Sequence, residues 1–300
     1  MLKLREAYLN LGFNEVINPV FIEDKEVKKQ FGSEAFAILD RCYYLAALPR
    51  PEIGMGDEKI EILRKHVKEL SDEKLENLKK VLRAYKLGEI SGDDFVYSVA
   101  KALEVSDSTA MKIITRTFPE IKELKPMPSS LTLRSHMTAA WFLTLKEVSK
   151  YKGMPIKLFS IDRCFRREQR EDEEHLRTYF SASSVIMDKD VSVKDGEELA
   201  KEILKNFGFR DFKFKLDEKR SKYYAPDTQK EVYVKHANLG YVEVATFGIY
   251  SPVALSRYDI EYPVLNLGMG VERLAMILYN ISDARELVYE QFYKKPEMSD

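Results

Sequence analysis

The sequence predicts an α+β fold, and three observations carry that expectation. Residues 157–187 (KLFSIDRCFRREQREDEEHLRTYFSASSVIM) read as two strands joined by a charged loop. Three further strand-like runs with alternating patterns follow, over residues 210–216, 231–236 and 240–250. Between about 51 and 126 the character is instead helical. A chain of 300 residues suits two domains of about 150 residues each, and it also suits one elaborated α/β or α+β domain.

Taken in order, residues 2–11 show a helical period, with Leu4, Ala7, Tyr8 and Leu11 on one side and Gly12 placed as a C-cap. Residues 15–21 (EVINPVF) predict a strand, which Pro19 confines to an edge. Residues 30–48 hold a helix and the strand CYYLAAL, which ends at Pro49. Four short helices are expected over 59–70, 72–85, 92–103 and 107–117, with capping starts at Ser71-Asp72 and Ser106-Asp107. This block reads either as a solvated helical module or as a surface for a nucleic-acid or protein partner. Residues 131–134 are extended, and a helix starting near Ser135 carries Thr138 and Trp141. Its N-terminus would offer free N–H groups and a positive dipole end to an anion. A helix over 194–207 closes at Gly208. Lys213, Lys215, Lys219, Arg220 and Lys222 form the densest basic cluster, suited to solvent or to nucleic acid. Gly268 and Gly270 would allow close backbone approach before the last apolar helix.

Composition narrows the function classes. A hydrophobic share of 45% and an aromatic share of 11% suffice for a core. Lys+Arg 48 against Asp+Glu 49 gives a net charge of −1. That argues against nucleic-acid binding by bulk charge and leaves a local basic face open. Cys42 and Cys164 have no CxxC spacing and the histidines no HxxxH pair, so a cysteine-built zinc site is not expected and a reducing compartment fits. The chain has no apolar run of about 20 residues and nothing like a signal peptide at its start. The expectation is a soluble, cytoplasmic protein with no membrane association.

Within the hairpin, strand alternation would put Arg166 and Glu168 on one face of the first strand and Ser181 and Ser183 on one face of the second. A cation, an anion and two hydroxyls would then converge over one patch of sheet, as a small charged ligand requires. The loop 169–174 alone reads as solvated charge. Ser181-Ala182-Ser183-Ser184 sits among strand formers and has no turn to make. Arg273, in the first turns of its helix, opposes the dipole. It needs either an external anion or a partner carboxylate such as Glu272 or Glu286.

The segment around Pro19, the run Phe165-Arg166-Arg167-Glu168 and the run Gly268-Met269-Gly270-Val271-Glu272-Arg273 resemble, in order, the three motifs of the class II aminoacyl-tRNA synthetase catalytic domain. The segments TLRSHMT, SIDRCFRREQ, YFSASSVIM, DEKRSKYYAPDTQ, EVATFGIYSP and PVLNLGMGVERLAMIL are most similar to the phenylalanyl-type subclass, and within it to the archaeal O-phosphoseryl-tRNA synthetase family. The resemblance implies a class II fold: a mostly antiparallel sheet flanked by helices over 1–50 and 127–300, with 51–126 as a helical insertion. Relative to that family an N-terminal extension is missing and the anticodon-binding domain is absent, so cognate tRNA selection is in doubt. The first-motif helix implies a dimer interface, and the family a homotetramer.

The chemistry implied is attack by an amino-acid carboxylate on the α-phosphorus of ATP, which needs positioning and charge stabilisation rather than a side-chain nucleophile. By resemblance, Arg166 would hold the α-phosphate and the substrate carboxylate, and Arg273 the γ-phosphate of a bent ATP. Glu168 would meet the adenine amino group or fix Arg166. Tyr179, or else Phe180, would stack on adenine, and Glu243 would be a Mg2+ ligand. Thr138, Ser181 and Ser183, with Asn266 close by, would meet the phosphate of O-phosphoserine. The product would be tRNA(Cys) charged at its acceptor end with O-phosphoserine, a step towards Cys-tRNA. A phenylalanyl-type core would want aromatic and small apolar residues where this chain has Ser-Ala-Ser-Ser. The other alternative is a non-catalytic or truncated paralogue that binds an amino acid, an adenylate or a protein partner, against which the set Arg166, Glu243 and Arg273 stands.

Overall fold

The structure, a computed structural model, describes residues 1–173, 175–218, 221 and 223–293. The chain divides into two compact units, Met1–Leu45 with Ser130–Asp300, and Ala46–Ser129. The described residues form ten strands: β1 Asn14–Glu15, β2 Phe21–Glu23, β3 Tyr44–Ala47, β4 Met127–Leu133, β5 Ile156–Phe165, β6 Thr178–Met187, β7 Phe212–Leu216, β8 Lys230–His236, β9 Gly240–Ile249 and β10 Val264–Gly270. Seven of them make one sheet in the order β1-β5-β6-β10-β9-β8-β7, and β2-β4-β3 make a small second sheet. Only β1 with β5 is parallel in the large sheet; every other pair is antiparallel.

Both faces of the large sheet are covered, so its central strands carry apolar side chains in both directions. Leu158, Cys164, Val185 and Met187 pack with Trp141, Phe142 and Leu145 of the helix Thr138–Val148. Phe159, Ala182 and Leu267 pack on the other face with Leu199, Ile203 and Leu204 of the helix Val193–Asn206 and with Leu4 and Tyr8 of the helix Leu2–Asn10. Ser192 and Asp195 close a capping box at the start of Val193–Asn206, satisfying two donors that a helix N-terminus leaves open.

Four expectations are corrected here. Residues 15–21 are not one strand: β1 ends at Glu15 and β2 begins at Phe21. Pro19 cannot donate to a ladder, and the carbonyls of Asn18 and Pro19 instead accept from Nη1 of the buried Arg134 at 2.7 and 3.2 Å. The helix expected near Ser135 begins at Thr138, and the one expected over 59–70 is Asp57–His66, ended by an extended Val67. Gly268 and Gly270 are not required by close packing, since a Cβ there would meet only Ser183 Oγ at 3.9 Å and Arg273 at 3.7 Å.

The second unit is helical: Asp57–His66, Asp72–Leu87, Gly92–Leu103, Asp107–Thr117 and Pro119–Lys122. It has its own core of Leu63, Leu78, Phe95, Val99, Leu103, Ile113 and Phe118. Ser71, Ser91 and Ser106 each accept a hydrogen bond from the backbone N–H three residues on, at 3.1–3.3 Å. Such caps are worth about 1 kcal/mol each. Among the described residues, no helix is long and apolar enough to cross a membrane.

Candidate active site

A cleft of about 450 Å3 opens on the Trp141 face of the large sheet, within the sheet-based unit. Of the side chains proposed above for a site, Thr138, Arg166, Glu168, Tyr179, Ser181, Ser183, Glu243, Asn266 and Arg273 line it. Phe180 does not line it. Tyr179, Ser181 and Ser183 alternate on β6 towards the cleft, while Phe180 points to the other face, under the Arg163 guanidinium at 4.5 Å.

Arg166 and Glu168 do not share a face of a strand, because β5 ends at Phe165. The hairpin ladder gains one more bond, Arg166 N–H to the Arg177 carbonyl at 2.8 Å, and the chain then turns so that Glu168 N–H meets the Arg166 carbonyl at 2.8 Å. The turn brings Glu168 Oε1 to 3.2 Å from Arg166 Nε. Arg167 points away and grips Asp40 at 2.6 Å. Of the charged loop, Glu174 lies outside the described residues, as do Lys219, Arg220 and Lys222 of the basic cluster.

The cleft floor is polar. Ser183 Oγ accepts from Trp141 Nε1 at 2.9 Å and from Asn266 Nδ2 at 3.1 Å, and Asn266 Oδ1 accepts from the Tyr224 hydroxyl at 2.8 Å. The helix begins at Thr138 with no side-chain cap; the Ala140 and Trp141 N–H groups donate to the Met137 carbonyl at 2.9 and 3.2 Å, and the N–H groups before them are those that a helix start leaves without an intrahelical acceptor. Tyr179 donates to the Ser135 carbonyl at 3.0 Å, and burial holds its phenol pKa well above the usual value.

At the far wall Arg273 Nη1 donates to the Glu243 carbonyl at 3.0 Å and lies 3.6 Å from the Glu243 carboxylate. The nearby anion is therefore Glu243, reached across the sheet, rather than Glu272 or Glu286. Thr246 Oγ1 donates to the other Glu243 oxygen at 3.1 Å. Among the described residues no cluster of three or more His, Cys, Asp or Glu could hold a metal by itself.

Two buried titratable groups complete the site: His136, which the sequence did not single out, and Glu272, which it offered only as a partner for Arg273. His136 lines the cleft, shares a 2.8 Å hydrogen bond with Ser135 Oγ, and has its pKa lowered to about 4 by burial and then by the Arg166 and Arg41 charges. Glu272 accepts the Phe180 N–H with both carboxylate oxygens, at 2.8 and 3.0 Å, and burial raises its pKa. β10 runs out at Gly270, opposite Ser181, so Glu272 takes over the ladder at the next residue of β6. Neither role has a local sequence signature: that of Glu272 depends on which strand lies beside β6, and that of His136 on the distant Arg41 and Arg166. Tyr223 and Tyr224, in the DEKRSKYYAPDTQ segment, also line the cleft.

A mostly antiparallel sheet with a cleft built on a hairpin and on a strand–helix turn defines a class II synthetase core. The sequence matches the family described as tRNA synthetases class II core domain (F) over residues 52–295, and the chain belongs to that family. It is 57% identical over 293 residues to the O-phosphoserine--tRNA(Cys) ligase of Methanocaldococcus jannaschii, covering 97% of this chain and 54% of that protein. It is 55% identical over 307 residues to the protein of the same name from Archaeoglobus fulgidus, covering 99% and 57%. The chain thus spans about half the length of these curated relatives. Among solved structures it is similar to the pyrrolysyl-tRNA synthetase of Desulfitobacterium hafniense, with a TM-score of 0.58 at 16% identity, over 96% of this chain and 71% of that one.

Proposed function

We propose that this chain carries the chemistry of an O-phosphoserine–tRNA(Cys) ligase: it activates O-phosphoserine with ATP and passes it to the acceptor end of tRNA(Cys). The observation that carries the reading is the cleft floor, where Thr138, Ser181 and Ser183 sit beside a helix N-terminus. Hydroxyls and backbone N–H groups suit a phosphate dianion whose second pKa is about 6. They would leave a phenylalanine side chain against unfilled buried donors, which a selective site rejects. The identity of 55–57% to ligases of that name supports the same reading.

In the activation step the substrate carboxylate oxygen attacks the α-phosphorus of ATP, and the bond to the β-phosphate bridging oxygen breaks to release pyrophosphate. Arg166, at the cleft wall with Glu168 fixing its guanidinium, orients the carboxylate and the α-phosphate. Arg273 holds the γ-phosphate, for which it must exchange its 3.6 Å contact with Glu243. Tyr179 presents its ring to adenine while its hydroxyl stays tied to Ser135. Glu243, a half-buried carboxylate with no cluster of further His, Cys, Asp or Glu beside it among the described residues, fits a Mg2+ ion that keeps waters and takes its remaining ligands from phosphates. Such an ion would supply charge neutralisation on the phosphates. A homo-oligomer, dimer or tetramer, belongs to the same proposal, and the exposure of Ile17 (90%) and Phe21 (59%) near the small sheet supports it.

The test is ATP–pyrophosphate exchange. Exchange that depends on O-phosphoserine is expected, and exchange with another amino acid but not with O-phosphoserine would overturn the substrate. A gel shift with tRNA(Cys) tests the second half-reaction's partner.

A further inference from the structure

A serine hydroxyl has one proton to donate and two lone pairs to accept with. At Ser183 both lone pairs are taken, by Trp141 Nε1–H at 2.9 Å and by Asn266 Nδ2–H at 3.1 Å. Neither donor can reverse its role. An indole nitrogen only donates. The Asn266 amide is fixed in orientation because its Oδ1 accepts from Tyr224 at 2.8 Å while its Nδ2 also donates to the Ser184 carbonyl at 2.9 Å. Tyr224 is itself held: its ring lies where a Cβ on Gly248 would come within 2.8 Å, and Gly248 pairs with Asn266 across the sheet. Burial keeps its phenol protonated and hence a donor. Among the described residues nothing accepts the Ser183 proton, and the residue lines the cleft.

We propose that Trp141, acting with the Tyr224–Asn266 pair, forces the Ser183 hydroxyl to present its proton to the cleft, and is thereby a positioning residue that selects a fully ionised phosphate. This rests on the O-phosphoserine reading above. A hydroxyl that can only donate favours the dianion, whose oxygens all accept. The monoanion carries a P–OH proton, for which this hydroxyl has no lone pair to offer. Trp141 is wholly buried, so its N–H is not engaged by water in competition with Ser183.

The experiment is phosphoserine-dependent pyrophosphate exchange on the 300-residue chain, wild type and Trp141→Phe, from pH 5 to 8. In the wild type, KM for O-phosphoserine falls as pH rises through about 6, the second phosphate pKa. In W141F, KM at pH 7.5 rises about tenfold, the equivalent of one hydrogen bond, with KM for ATP unchanged. Its pH dependence flattens, because the freed lone pair can now accept from the monoanion. Trp141→Phe placed on Ser183→Ala adds no further loss. Tyr224→Phe, which removes one hydroxyl, shows the same flattening to a smaller degree and decides the matter if W141F does not fold. A wild type without phosphoserine dependence overturns the functional reading and this proposal together. A phosphoserine-dependent wild type with an unaltered pH profile in the variant overturns the positioning role alone.

Discussion

Glu272→Ala perturbs the site through its scaffold. The carboxylate is buried and its two oxygens take the Phe180 N–H at 2.8 and 3.0 Å, just where β10 stops pairing with β6. Removing it leaves that amide without its acceptor, at a cost of about 1–3 kcal/mol. Taking about 2 kcal/mol, and about 2–4 °C per kcal/mol for a unit of this size, Tm should fall by about 4–8 °C. The pH dependence has a definite sign. Burial raises the Glu272 pKa above its ordinary 4.5, so its contribution is full below that value and is lost as pH rises through the folded-state pKa. The gap in stability between wild type and variant should accordingly be wider at acidic than at neutral pH. Thermal unfolding followed by circular dichroism at several pH values measures both effects. A Tm within about 1 °C of wild type at every pH would refute the view that Glu272 completes the ladder. Because Tyr179 and Ser181 flank Phe180, exchange activity should fall with the same substitution.

Further outcomes are expected elsewhere. Arg166→Ala and Arg273→Ala should each lower pyrophosphate exchange by at least about 10²-fold while unfolding as the wild type does, since a lost charge-stabilising donor costs about that much; full activity in either would remove it from the site. His136, with a pKa lowered to about 4, should show no NMR titration between pH 5 and 8. Its sign is opposite to that of Glu272: the unfolded chain takes up the proton first, so stability is lost as pH falls from about 6.5 towards 4, and His136→Asn should flatten that part of the profile. Gly248→Ala should cost about 1–3 kcal/mol by overpacking against the Tyr224 ring, read as a shift in the denaturant midpoint.

Much of the fold is visible in local pattern. The strands of the hairpin, the amphipathic helix Leu2–Asn10 and the capped helices Asp72–Leu87 and Asp107–Thr117 follow from periodicity and from Ser starts, which are properties of neighbouring residues. The run around Pro19 misleads for a local reason too: its apolar residues suggest a strand, and only Arg134, more than a hundred residues on, claims its carbonyls. Ser181 and Ser183 stand out because hydroxyls interrupt a strand that should be apolar. Arg273 stands out because it opposes its helix dipole, yet nothing in its neighbourhood points to Glu243, which reaches it only through the β9–β10 pairing.

The division has a physical cause. Periodicity, capping and charge placement act over a few residues, and from them the sequence alone determines the sheet-and-helix class, the helical block and the polar, cationic character of the cleft. Hydrogen-bond roles across a sheet depend on register, which a slip of one residue would invert. Only the tertiary structure could set Ser183 between Trp141 and Asn266, place Glu272 at the end of the β6 ladder, and bury His136 beside two arginines.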